Sequence, residues 1–281
     1  MGLILNILND IKLAYNKANI VEKIIYINVL FFLITVLLTS FTTNWLALPT
    51  SLNSFLYKPW TLITYAFIHQ RLFHILSNLL VLYYIGNLFL DFYNKKQFVN
   101  FYFLGIIVGG IAFLAKYYFS SKIGAPLGGA SAAVSTIFVA IATKIPRYAL
   151  RLRFIGSVEL WVLAAIWVGL SILQLGNPDN GPAFAHIAGA GFGFLYAKQL
   201  ENGNDIGNWF EKLLNFLFNQ FKSKKNRPLK TVYKSSKRKK ANEVTKTKQR
   251  KINDILDKIS KSGYESLSKE EKEFLFRSGK K

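Results

Sequence analysis

Six stretches of the chain are apolar almost without interruption: residues 24–41, 73–90, 98–119, 128–143, 154–175 and 183–197. Each is about the length that crosses ~30 Å of hydrocarbon as a helix. They contain only two charged side chains, Lys116 and Glu159, both near an end. Unsatisfied backbone groups are costly in lipid, so spans of this length are expected to be helical. The prolines agree, since Pro49, Pro59, Pro126, Pro146, Pro178 and Pro182 fall between the stretches or at their margins. The pattern predicts an all-α polytopic membrane protein with six transmembrane helices over residues 21–200.

Outside those spans the pattern changes character. Residues 1–20 carry Asn6, Asn9, Asp10 and Lys12 among apolar positions, which reads as a short interfacial helix rather than a cleavable signal peptide. Residues 201–221 alternate Ile206, Trp209, Phe210, Leu213, Leu214, Phe216, Leu217 and Phe221 with polar residues, suiting an amphipathic juxtamembrane helix. Residues 222–250 read as a basic flexible linker. In residues 251–281, Ile252, Ile255, Leu256 and Ile259 share a helical face. Gly263 then breaks the pattern, and Ser268 and Glu271 have capping-box spacing ahead of Phe274, Leu275 and Phe276. That segment predicts a small helix-turn-helix appendage.

Charge refines the picture. The net charge is +21, and residues 222–251 hold 14 Lys and Arg against the single Glu243. A basic run just past a last span is expected to meet anionic lipid, at about 1 kcal/mol per charge near the surface, rather than nucleic acid. Among the shorter loops, one side of the membrane collects Lys12, Lys17, Lys23, Lys95, Lys96, Lys144, Arg147, Arg151 and Arg153. The other collects Lys58, Arg71, Lys116 and Lys122. The bias predicts both termini on the cytoplasmic side. The chain has no cysteine, which excludes disulfides and thiolate chemistry.

The three histidines, His69, His74 and His186, share one proposed depth. The second, fourth and sixth spans begin on the outer side, which brings together His74 and Asn78, Ser131, and His186. Polar groups at such depth are costly and mark function by default. Gly128, Gly129, Ala130, Ala132 and Ala133 around Ser131, with Ala185, Gly189 and Gly193 beside His186, allow close helix approach. The chemistry this predicts is acyl transfer, with Ser131 as nucleophile and His186 as base. His74 and Asn78, one turn apart on one face, are the candidate donors to an oxyanion. No carboxylate is expected at His186, because Glu159 starts the fifth span at the opposite face.

Rival chemistries fit less well. His69 and His74 are five residues apart, ~140° around a helix, with no acidic residue between them, which disfavours a zinc-protease helix. Asp91 has no intramembrane partner for paired-aspartate catalysis, and neither midplane acids nor internal repeats point to a transporter. No metal or organic cofactor is implied.

These residues resemble the rhomboid intramembrane proteases over about residues 20–200. Four stretches carry the likeness: Pro59-Trp60-Thr61-Leu62-Ile63-Thr64-Tyr65; His69, His74 and Asn78; Leu127-Gly128-Gly129-Ala130-Ser131-Ala132; and Ala185-His186-Ile187-Ala188-Gly189. The resemblance implies a Ser131–His186 dyad, His74 and Asn78 as the oxyanion pair, and membrane-protein substrates, single-span ones among them. It also implies that residues 42–71 form the family's membrane-embedded first loop, with Trp60, His69, Gly129 and Ala132 in supporting roles. The appendage is similar to tails of some bacterial rhomboids, which implies a bacterial inner membrane. One position departs: the family's pattern has glycine after the serine, and this chain has Ala132. A rhomboid-like protein that binds clients without cutting them is the alternative, and it turns on that methyl.

Overall fold

The computed structural model describes residues 12–120, 124–153, 156–177, 179–221 and 236–279. The chain divides into two compact units, Met1–Phe221 and Lys222–Lys281.

In the first unit, residues 12–17 are helical, and the rest of the expected interfacial helix, residues 1–11, lies outside the described residues. Helix α1 (Ile20–Leu37) starts at a reciprocal cap, in which Glu22 N–H donates to Asn19 Oδ1 and Asn19 N–H donates to the Glu22 carboxylate. The loop that follows is built from short helices: α2 (Thr39–Trp45), α3 (Leu52–Tyr57), α4 (Thr61–Thr64) and a 3-10 turn, Tyr65–Phe67. Helices α5 (Leu72–Phe92) and α6 (Lys95–Ser120) come next. Together with α1 they are long and apolar enough to cross a membrane. Helix α7 (Ser131–Lys144) is apolar but shorter, and α8 (Leu160–Leu173) runs into a 3-10 turn, Gln174–Gly176. Helix α9 (Gly181–Glu201) has Pro182 in its first turn, where a missing N–H costs nothing. The amphipathic α10 (Asn208–Phe221) is tied to α6 by a Lys96–Glu211 ion pair.

Helix α7 is buried along nearly its whole length and lies against α5, α6, α8 and α9. Its small residues let the neighbours close in. A Cβ on Gly189 or Gly193 of α9 would run into the backbone carbonyls of Ala132 and Thr136. By contrast α1 and α5 leave Leu30, Leu33, Leu37, Phe73, Leu76 and Leu80 exposed, apolar surface that suits lipid rather than water.

One part of the expected fold needs correction. The fifth apolar stretch was expected to be helical from residue 154, in a purely α fold. Instead β1 (Ala149–Leu152) pairs antiparallel with β2 (Gly156–Glu159), in register Ala149 with Glu159 and Leu152 with Gly156. Helix α8 starts only at Leu160, with Glu159 as its N-cap. The cause is local: Ala149-Leu-Arg-Leu alternates with period two, and Gly156 takes φ +93°. Phe154 and Ile155 lie outside the described residues.

In the second unit α11 (Ser236–Ser262) begins inside the stretch read as flexible linker, whose Lys, Arg, Gln and Ala are strong helix formers. Residues 222–235 of that stretch lie outside the described residues. Gly263, at φ +78°, ends the helix, and α12 (Lys269–Gly279) begins with a capping box. There Ser268 N–H donates to the Glu271 carboxylate at 2.8 Å, and Glu271 N–H donates to Ser268 Oγ at 3.2 Å. Lys258 also reaches Glu271, at 2.9 Å, while Ile255 and Leu267 are buried.

Candidate active site

The loop before α7 is held from two sides. Leu48 and Leu127 exchange backbone hydrogen bonds, and Gly129 N–H donates to the Tyr65 carbonyl at 2.9 Å. Gly129 sits at φ +125°, and a Cβ there would stand 2.6 Å from His74 Cε1. Any other residue would be strained in its backbone and would push the His74 ring away. His69 is fully buried and accepts from Ala130 N–H at 3.3 Å, one residue before Ser131. Its ring stands edge-on to that of His74, centroids 5.1 Å apart. Trp60 braces the first loop, donating to the Trp45 carbonyl at 2.8 Å and stacking nearly parallel on its indole.

Ser131 opens α7 and His186 lies in the second turn of α9. The close backbone approach of these helices sets Ser131 Oγ 2.6 Å from His186 Nε2. The other ring nitrogen, Nδ1, faces Ser171 Oγ of α8 at 3.3 Å, so a hydroxyl stands where a triad would put a carboxylate. Ser171 was not singled out in the sequence, where a serine in an apolar helix reads as bonding back to its own turn. It does so as well, reaching the Trp167 carbonyl at 3.2 Å. Two further side chains of α7, Ser135 and Thr136, make unforeseen contacts. Ser135 hydroxyl donates to the Ser131 carbonyl at 2.7 Å and accepts from Trp167 Nε1 at 2.8 Å. Thr136 Oγ1 lies 2.9 Å from both the Ala132 and Gly189 carbonyls.

Ser131, His186 and His74 line one cavity of about 430 Å³, which Gln70, Arg71 and Gln174 also border. Asn78 is buried a turn further along α5. Its amide donates to the His74 carbonyl at 2.8 Å, leaving one N–H uncommitted and Oδ1 without a partner. Ala132 is buried with its methyl against Gly109 of α6, where a Cβ would stand 2.6 Å from it. The family-pattern departure is therefore absorbed at the α6–α7 contact. No group of metal-binding side chains occurs among the described residues.

A helical bundle with a serine and a histidine in hydrogen-bond contact at the edge of one cavity defines a narrow class of membrane protein. Residues 57–201 match the Rhomboid domain, more than half of the chain, and the protein belongs to the rhomboid family. Residues 236–281 match a family of unknown function (DUF6576). Among curated proteins the chain is similar to Rhomboid-like protease 3 of Toxoplasma gondii, 26% identical over 56% of this chain and 58% of that one. It is also similar to RHOMBOID-like protein 12, mitochondrial, of Arabidopsis thaliana, 28% identical over 51% of this chain and 47% of that one. The Presenilin-associated rhomboid-like protein, mitochondrial, of Mus musculus is 30% identical over 46% of this chain and 35% of that protein. The chain spans about half the length of the curated relatives it matches.

Proposed function

We propose that the protein is an intramembrane serine endopeptidase that hydrolyses peptide bonds in or near transmembrane segments of other membrane proteins. The observation that carries this reading is the 2.6 Å contact between Ser131 Oγ and His186 Nε2 inside the bundle. Neutral His186 takes the Ser131 proton as Oγ attacks the scissile carbonyl, then returns it to the leaving amine. The acyl-serine is hydrolysed by a water that His186 activates in the same way. His74, the free N–H of Asn78 and the first-turn backbone N–H groups of α7 are the donors for the oxyanion. No cofactor takes part.

In this reading α1, α5, α6, α7, α8 and α9 are the six transmembrane helices, and the site lies in the outer half of the membrane. The basic-residue bias supports cytoplasmic termini, and the likeness of the appendage to bacterial tails supports a bacterial inner membrane. Single-span and other membrane proteins are the substrates. The basic tail binds anionic lipid, with no nucleic-acid partner expected.

The test is cleavage of a single-span substrate in proteoliposomes by the full chain, with fluorophosphonate labelling of Ser131. Ser131→Ala and His186→Ala each lower cleavage by at least ~10³-fold. Equal cleavage by both variants and the parent sinks the proposal. The alternative, a non-cutting client binder, is motivated by Ala132 and predicts client capture without labelling of Ser131. The Ala132 methyl is seated against Gly109 of α6 while Ser131 Oγ keeps its 2.6 Å contact with His186, which favours the active reading.

A further inference from the structure

We infer that Ser171 is the positioning residue that fixes the tautomer and aim of His186, and that α8 is thereby a working part of the site. The inference rests on the proposed peptidase reading. For His186 Nε2 to accept the Ser131 proton, the resting ring must carry its proton on Nδ1. That N–H then needs an acceptor, and Ser171 Oγ, in a residue 4% exposed, is the atom facing it, at 3.3 Å. A hydroxyl has one proton to give, and the Ser171 proton has its own acceptor in the Trp167 carbonyl, 3.2 Å away. The polarity of the chain is thus set throughout: Ser131 donates to His186, His186 to Ser171, and Ser171 to the α8 backbone. Reversing the ring would set an N–H against Ser131 and leave no proton acceptor for attack.

The same turn of α8 also holds the serine's helix. Trp167 lies four residues before Ser171, and its indole N–H donates to Ser135, whose hydroxyl donates to the Ser131 carbonyl. Two side chains one turn apart therefore bind α8 to the base and to the backbone of the nucleophile. Both bonds depend on the seating of α8.

The experiment uses the full chain in detergent micelles, labelled with 15N in its three histidines. It reads the ring tautomer of His186, the fluorophosphonate labelling rate of Ser131, and kcat and KM for a single-span substrate. The parent should show His186 protonated on Nδ1. Ser171→Ala should shift the ring toward the Nε2–H form and lower labelling rate and kcat by roughly 10- to 100-fold, the range of a hydrogen bond to a developing charge. KM should change little, and Tm should fall by no more than a few degrees, the cost of a buried hydrogen bond. Ser171→Thr, which keeps the hydroxyl, should retain most of the parent rate. A parent ring protonated on Nε2 overturns the inference, and so does a Ser171→Ala variant within twofold of the parent. A loss that tracks stability and is not avoided by threonine also overturns it, as the mark of a packing role. Failure of the parent itself to label at Ser131 would refute the peptidase reading instead, a separate result.

Discussion

The departure at Ala132 makes a quantitative prediction about the α6–α7 crossing. At Gly109 an added Cβ would lie 2.6 Å from Ala132 Cβ, 3.1 Å from the Ala185 carbonyl oxygen and 3.3 Å from the Tyr65 hydroxyl. Carbon atoms rest at about 3.5–4.0 Å, so the first contact is too short by about 1 Å. The helices can relieve it only by parting, and Gly109→Ala should cost about 1–3 kcal/mol. Ala132→Gly should cost about 1 kcal/mol, from one buried methyl and a weaker helix start. In the double variant the shortest contact is gone, but those to Ala185 and Tyr65 remain. The two changes should therefore be less than additive, with about 1 kcal/mol recovered. Thermal unfolding of the four proteins in one detergent measures this cycle at about 2–4 °C per kcal/mol. A double variant that falls by the sum of the single losses, or a Gly109→Ala protein as stable as the parent, refutes the placement of the methyl. Fluorophosphonate labelling adds a functional reading, in which Ala132→Gly should react at close to the parent rate.

Other expectations follow from the same contacts. Gly129→Ala combines a left-handed backbone with a Cβ 2.6 Å from His74, so it should cost at least ~2 kcal/mol and slow labelling of Ser131. Parent-like labelling would show that the loop does not position His74. Trp167→Phe removes the indole donor to Ser135 and should lower stability by about 1 kcal/mol, read as a fall of a few degrees in Tm. In the second unit, Lys258 and the Ser268 N–H hold the Glu271 carboxyl below its ordinary 4.5. A depressed carboxyl stabilises fully above its ordinary range, and that contribution is lost as pH falls through the lowered value. Hydrogen-exchange protection at the start of α12, corrected for intrinsic rate, should therefore drop on acidification in the parent. It should be low and nearly pH-independent in Glu271→Gln.

Much of the candidate site was legible in the sequence because the apolar stretches order it. Once the apolar stretches are laid out, Ser131, His74 and His186 fall at one level, and the glycines and alanines around them announce close packing. The structure brings those three to one cavity and buries Asn78 beside it. The hydroxyl contacts that tie α7, α8 and α9 to one another were not legible. Ser135, Thr136 and Ser171 each have a carbonyl one turn back on their own helix, and nothing in a single sequence says which of them also reaches a neighbour. The hairpin before α8 escaped because its alternating residues lie against a long apolar run, and hydropathy averages over both. The early start of α11 escaped for the opposite reason, since a highly charged stretch suggests disorder even when its residue types favour helix.

Gly189 and Gly193 bring α9 against the carbonyls of Ala132 and Thr136 with no side chain between them. The spacing of Ser131 and His186 is consequently a main-chain dimension, fixed by how closely two backbones can lie. The exposed apolar surfaces of α1 and α5 can change almost freely without altering it. A lineage can exchange most of its residues and keep the same reach between these two atoms, provided that a few positions never grow a side chain.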